Sequence, residues 1–469
     1  MRIELLGIVA MILGTVALLA PVRWSFYVIV FSTLFGAAAA LSLPGLGGAS
    51  ILVPSLLLAF YCLRQFMAHG EGPVLASVTG TSAGFWLLLL TVYAVMTAFF
   101  LPRLLEGETE TMIVLRSSVG RSIIDLVPLS SSTNNITQSV YALGGLFCFA
   151  FTFAYLRRGG SSSDLVNAML IVGGLNLVFA VLDVVTYYSG TAYLFDFIRT
   201  ANYALLTGSE KAGFKRISGT FPEASAFAGY TIVLFAFTAS LWLDRVRPMV
   251  TGMLSGLLLV ALLLSTSSTA LVSLTAVVAF LLARSVPASA GVAPRGRPAF
   301  LVGILVLAPL LCLLAIVAAP GLVQDIWSFL DEMLFSKLDS QSGRERFMWN
   351  AVAFQVFQDT WGLGAGLGSA RASSYALVLL SNVGIVGTAM FMLFVGSLLL
   401  LRCGGARYDT AVTRAAKAGL VAGLCEAMIS GTVYDLGLMF YVLAGSIAAL
   451  GWQPVRSNET ATGTVETVR

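Results

Sequence analysis

Charge is scarce in this sequence. Among 469 residues there are 27 Lys and Arg and 23 Asp and Glu, 11% in all, whereas 58% are apolar. A water-soluble domain of that make-up could not cover its surface with polar groups, so the expected solvent is a bilayer. The basic residues are scattered between apolar runs and form no block, which excludes a nucleic-acid partner. Histidine occurs once, at His69, in a loop expected on the cytoplasmic side, so an outer active site has no histidine for a triad or a zinc ion. Cysteine occurs five times, at Cys62, Cys148, Cys312, Cys403 and Cys425, without the paired spacing of a disulfide framework or metal knot. No internal repeat is visible, which leaves an inverted-repeat transporter without support.

What the sequence has instead is long apolar runs. A span needs about 20 residues to cross roughly 30 Å of hydrocarbon. Candidates are Glu4 to Ala20, Ser25 to Ser42, Ala49 to Arg64, Gly84 to Leu101, Ser139 to Leu156, Asp164 to Tyr188, Glu223 to Leu243, Val250 to Leu264, Ser268 to Leu282, Phe300 to Ala319, Tyr375 to Leu401, Ala415 to Ser430 and Leu436 to Leu450. The first run lacks a cleavage site and reads as an anchor. The expected fold is all-α, a polytopic membrane helix bundle of about 12–14 transmembrane helices.

Positive charge near span ends stays in the cytoplasm. Arg157 and Arg158 fix one loop inside, and counting from there places Arg23, Arg64, Arg245, Arg247, the Arg284 to Arg297 loop and the Arg402 to Lys417 loop inside too. Three long outer segments remain: Pro102 to Gln138, Ser189 to Pro222 and Pro320 to Ser374. The expected organisation is N-terminal spans over 1–188, a basic outer loop over 189–222, central spans over 223–319, a large outer loop with an amphipathic helix over 320–374, C-terminal spans over 375–451 and a cytoplasmic tail over 452–469.

The second outer segment ends in Lys211, Lys215 and Arg216, then Ile217-Ser-Gly-Thr-Phe-Pro-Glu223. Thr220 and Glu223 have capping-box spacing, so a helix is predicted to start here with unpaired N–H groups facing outward. Three cations before such an end suit an anion. The third outer segment repeats the arrangement in Ser342-Gly-Arg344-Glu-Arg346-Phe-Met-Trp349. Arginine near a helix N-terminus opposes the dipole by about 0.3–1 kcal/mol, which again points to a bound anion. The glycines at 362, 364, 366 and 368 precede Arg371 and read as a tight re-entry turn. Intramembrane acids are few: Glu426 within a late span, Asp183 near the outer end of another, and Asp435 beside Tyr434 at a short outer turn; Asp183 and Asp435 are placed to line an outer cavity.

Taken in order, Arg216-Ile-Ser-Gly-Thr-Phe-Pro-Glu-Ala-Ser, Ser265-Thr-Ser-Ser-Thr-Ala-Leu, Ser342 to Trp349, the alternating glycines and Ser381-Asn-Val-Gly-Ile-Val-Gly387 resemble the O-antigen ligase and polymerase superfamily over roughly Lys215 to Phe394. The resemblance implies a GT-C-like bundle with large periplasmic loops containing short helices, in a bacterial inner membrane. It further implies a metal-independent glycosyltransferase, without a cofactor, acting on glycan carried by undecaprenyl pyrophosphate, beside a flippase and a chain-length regulator. Family arginines fall on Arg216 and on Arg344 or Arg346. The ligases carry a histidine after the glycine turn, where this chain has Arg371-Ala-Ser-Ser-Tyr375. That departure favours a polymerase over a ligase moving glycan to lipid A core or protein. In this reading Arg216 and Arg344 hold the leaving pyrophosphate, Glu223 takes the hydroxyl proton, and Lys215, Lys211, Arg346, Arg371, Asp435 and Tyr434 contact substrate.

Overall fold

The computed structural model describes residues 2–43, 49–116, 122–201, 206–208, 210–211, 214–285 and 341–452. The expected span over 300–319, the first part of the third outer segment and the tail beyond 452 lie outside the described residues.

Helix dominates, as the apolar runs require, because a backbone in hydrocarbon must satisfy its own polar groups. The N-terminal half contains α1 (Leu5–Leu19), α2 (Val22–Ser32), α3 (Val53–His69), α4 (Gly72–Thr79), α5 (Ser82–Leu104), α6 (Thr133–Arg158) and α7 (Ser162–Tyr188). The C-terminal half contains α8 (Ala224–Leu243), α9 (Pro248–Leu264), α10 (Ser268–Ser285), α11 (Gln341–Asp359), α12 (Tyr375–Leu400), α13 (Arg407–Ser430) and α14 (Leu438–Gly451). Among the described residues five helices, α5, α6, α7, α8 and α12, are long and apolar enough to cross a membrane. The protein is therefore a helical membrane protein.

Burial sorts these helices into layers. The apolar windows of α6 and α8 are 72% buried and those of α5, α7 and α12 39%, so the first two form the centre and the others face lipid. Helix α14 lies against α6 with Tyr441, Val442, Leu443, Ala444 and Ile447 all buried. Helix α1 exposes Leu5, Ile8, Ile12, Val16 and Leu19 along one face, the pattern of a lipid-facing stripe.

Two expected spans are corrected. Helix α2 stops at Ser32, and Ala39–Leu43 forms strand β2 between β1 (Arg2–Ile3) and β3 (Ala49–Leu52), with Arg2 opposite Ser42 and Ser42 opposite Ser50. The run from Ser25 to Ser42 is thus half helix, and the run from Ala49 starts as strand. Hydropathy could not reveal this, because a buried apolar strand and a buried apolar helix read alike. The backbone between them is taken up by the second outer segment: Ala37 N–H donates to Thr220 O, and Ala37 O accepts from Thr200 and Ala201.

The first outer segment is also not purely helical or irregular. It holds a hairpin of β4 (Glu110–Arg116) and β5 (Ser122–Pro128), paired from Glu110 with Pro128 to Arg116 with Ser122. The hairpin base is tied to α11 where Thr109 donates to Asp359 at 2.8 Å.

Opposite ends of the bundle differ in chemistry. At one end Arg64 caps Ala20 O at 3.0 Å, Arg157 lies 4.6 Å over Trp452, and Arg284 and Arg414 flank Asp244 at 3.6 and 2.9 Å. These are the arginines that the short-loop rule puts in the cytoplasm. Described parts of the three expected outer segments meet one another: Thr109 bonds Asp359, Asn135 bonds Leu367 O, and Arg216 is within electrostatic range of Arg346.

Helix α12 is not continuous: it breaks at Gly384 with φ +61°. The glycine-rich turn fills the break. Ala365 and Gly366 N–H donate to Ser381 O and Asn382 O at 2.8 and 3.0 Å, and Ile385 N–H donates to Gly362 O at 2.9 Å. Asn382 seals the remainder, its Oδ1 accepting from Gly368 N–H at 2.9 Å and its Nδ2 donating to Ala370 O at 2.8 Å. Glycine is required here because each of Gly362, Gly364, Gly366 and Gly368 has positive φ, and a Cβ on Gly364 would lie 2.8 Å from the Asn382 backbone. The break is thus filled by protein, which satisfies the backbone groups it frees.

Candidate anion site

The site begins with a buried ion cluster. Asp183, one turn from the end of α7, accepts from Arg199 at 2.6 Å and Lys215 at 3.2 Å. It also accepts from Ser218 and Gly219 N–H at 2.8 and 2.9 Å. Asp183 and Lys215 side chains are each 2% exposed, so the Lys215 charge is spent on Asp183 instead of facing outward. Burial lowers the Lys215 pKa, and Asp183 works against that shift. Lys215 forms part of β7 (Phe214–Lys215), which pairs with β6 (Glu210–Lys211). Lys211 belongs to that hairpin; its side chain lies outside the described set.

Arg216 follows directly. Its Nε is buried without a hydrogen-bond partner, and among the described residues the guanidinium makes no ion pair. Burial lowers its pKa, Glu223 supports the charge and Arg346 opposes it. Two guanidinium groups therefore stand within electrostatic range of each other, one with a donor left over.

Helix α8 starts three residues later than the capping-box spacing predicts, at Ala224 with Glu223 at the N-cap, and the expected capping box is absent. Thr220 donates to Leu34 O, and Ser225 donates to the Glu223 carboxylate. The cause is again the loop after α2, which captures the Thr220 turn. Similarly, α11 is already helical at Gln341, so Ser342 stands in its first turn and not at its cap.

Two cations of α11 separate cleanly. Arg344 is exposed, whereas Arg346 is half-buried with Nη1 3.4 Å from Thr269 Oγ1 at the start of α10. Arg346 is therefore the residue that meets Arg216. Arg371, in the turn before α12, lies 5.8 Å over the Trp349 ring, and burial lowers its pKa.

Glu426 completes the cluster, and the sequence noted it only as an intramembrane acid. It sits in the last turns of α13, bonded by Ser430 and within electrostatic range of Arg346 and Glu223. Its carboxyl lies against α8 so closely that a Cβ on Gly229 would be 2.7 Å from it. The signal was present, since an acid in an apolar run is a functional candidate by default. Its neighbours were not legible. Past Ser430 the chain turns through Tyr434 and Asp435, and Tyr375 OH donates to Tyr434 O at 3.0 Å.

Chemically the arrangement sets cations from separate segments beside carboxylates at the N-cap of α8 and in α13, a charge pattern suited to an anionic group. Among the described residues no group of three His, Cys, Asp or Glu is placed to hold a metal ion. No family model, curated protein or solved structure matches the chain.

Proposed function

We propose that this protein is a polysaccharide polymerase that joins glycan repeat units carried on undecaprenyl pyrophosphate at the periplasmic face of a bacterial inner membrane. The observation that supports it is Arg216, whose buried Nε lacks an acceptor while Arg346 faces it across the site. A buried donor without a partner costs about 1–3 kcal/mol, more when charged, and an incoming diphosphate supplies the missing acceptor. In this reading the arginine-rich end faces the cytoplasm, the other end faces the periplasm, and spans beyond the described residues complete a bundle of about 12–14.

In the reaction the hydroxyl of one lipid-linked unit attacks the anomeric carbon of another, and the pyrophosphate departs. Orientation and charge stabilisation carry most of the rate. Arg216 and Arg346 meet the charge on the leaving group, Arg371 and the exposed Arg344 hold it at the rim, and Lys215 fixes the loop that presents Arg216. Helix α11, with Phe347, Met348 and Phe354 exposed, rests its apolar face among lipid headgroups above the carrier.

The test is complementation of a deletion strain. Arg216→Ala and Arg346→Ala should insert normally yet make no polymer; full polymer length and yield in both would overturn the assignment.

A further inference from the structure

Two aspartates, Asp183 buried and Asp435 half-buried, stand at the same end of this bundle in opposite circumstances. Asp183 is neutralised by two cations and two backbone N–H groups. Asp435 has no cation within ion-pair distance among the described residues. Its Oδ1 accepts from Gly437 N–H at 3.0 Å, and its Oδ2 has no hydrogen-bond partner there. The groups facing it come from every element around it: Tyr141 and Cys148 of α6, Tyr375 of α12, Tyr434 of its own turn and Tyr441 of α14. None of these balances a carboxylate, so a structural role as an ion-pair anchor is unavailable to it.

The turn adjoins the anion site through α13. Glu426 and Ser430 lie on the anion side, Gly431 backs onto Tyr375, and Tyr375 reaches Tyr434. From Tyr375 the chain leads back four residues to Arg371 over Trp349. A half-buried carboxylate with a free oxygen, beside a site for a leaving anion, has the chemistry to receive a sugar: the carboxylate accepts from hydroxyls, and the partly exposed Tyr141 offers a ring to an apolar C–H face, while Tyr375, Tyr434 and Tyr441 are buried behind it.

We propose that the Asp435 turn is the acceptor subsite, taking a carbohydrate hydroxyl, and that Asp435 accepts its proton. This rests on the polymerase reading. The acceptor O–H bond breaks and its proton passes to Oδ2 as the oxygen bonds the anomeric carbon. The bond from that carbon to the pyrophosphate oxygen breaks, and its electron pair leaves with the pyrophosphate toward Arg216 and Arg346. The reading from the family resemblance gave the proton to Glu223, but that carboxylate is engaged by Ser225 and stands within electrostatic range of Arg216. Burial lifts the Asp435 pKa to about 6, which suits a group that must take up a proton near neutral pH and release it again.

The experiment uses the full-length protein in membranes of the deletion strain, supplied with that strain's own lipid extract, in which the unpolymerised lipid-linked unit accumulates. Polymer is read as a ladder on a gel, and binding of inorganic pyrophosphate to purified protein is measured in parallel. Asp435→Asn should lower the polymerisation rate by about 10²–10⁴-fold while leaving pyrophosphate binding within two-fold. Wild type and Glu223→Gln should share an acidic limb near pH 6 that the residual activity of Asp435→Asn lacks. Three outcomes overturn the proposal: near-wild-type polymerisation by Asp435→Asn, loss of its pyrophosphate binding as well, or disappearance of the acidic limb in Glu223→Gln. A wild-type protein that extends nothing would refute the polymerase reading itself, and this proposal with it.

Discussion

Lys215 and Asp183 form a 3.2 Å ion pair with each side chain 2% exposed, and this pair sets where the next residue, Arg216, can point. Breaking a buried pair from one side leaves an uncompensated charge and costs about 3–5 kcal/mol. Asp183 also holds Arg199 and two N–H groups, so the two partners are not equivalent. Asp183→Asn should lower the melting temperature of the detergent-purified protein more than Lys215→Met, which leaves Arg199 on Asp183. Both should weaken pyrophosphate binding by releasing the loop before α8. Equal melting temperatures for wild type and Asp183→Asn would show that the cluster does not hold the loop.

The two arginines of α11 give a second prediction. Arg346 is half-buried against Thr269 and faces Arg216, while Arg344 is exposed. An exposed cation is screened by water and salt, and a desolvated one is not. Arg346→Ala should weaken pyrophosphate binding by at least ten-fold at 0.15 M salt, and Arg344→Ala by no more than about three-fold. The reverse order would move the anion to the outer surface of α11.

Much of the bundle was legible because apolar length is a direct physical requirement of a bilayer: the run from Asp164 to Tyr188 and α7 differ by two residues at one end. What escaped was decided by tertiary competition. The loop after Ser32 gave up helix because Thr220, Thr200 and Ala201 claim its backbone, contacts that no local pattern encodes. At the site, charge counting put Arg344 ahead of Arg346 and grouped Lys215 with Lys211 and Arg216 as three equal cations. Only the Asp183 contact separates a structural lysine from a free arginine. Glu426 and Asp435 were visible as acids in apolar surroundings, yet their neighbours come from other helices.

A third prediction concerns the broken helix. A Cβ on Gly384 would lie 2.3 Å from Gly362 O, and its φ of +61° is unfavourable for alanine as well. Gly384→Ala must therefore expel the glycine turn from the break, leaving Ser381 and Asn382 carbonyls unsatisfied. The expected loss is several kcal/mol, from strain of about 1–3 kcal/mol plus the lost hydrogen bonds. Gly396, in the same helix with open space around its Cβ, is the control, and Gly396→Ala should be neutral or stabilising. Thermal unfolding of the two variants in one detergent decides it; equal stability would mean that the turn is not seated in the break.

The last prediction separates stability from activity at Asp435. Burial raises its pKa from 3.8 to about 6, so between those pH values the folded protein binds more protons there than the unfolded chain. Stability contributed by this residue therefore falls as pH rises through that window, and the full cost, about 3 kcal/mol, is present above pH 6. Asparagine does not titrate. Asp435→Asn should match wild type in melting temperature near pH 4, then become progressively more stable than wild type up to pH 6 and hold that margin at pH 7.5, while the polymerisation rate falls by about 10²–10⁴-fold. A residue kept for packing would show the opposite, since its replacement would destabilise at every pH. A melting-temperature difference that does not change between pH 4 and 7.5 would mean that the Asp435 carboxyl is not desolvated, and the case for it as the proton acceptor would go with that.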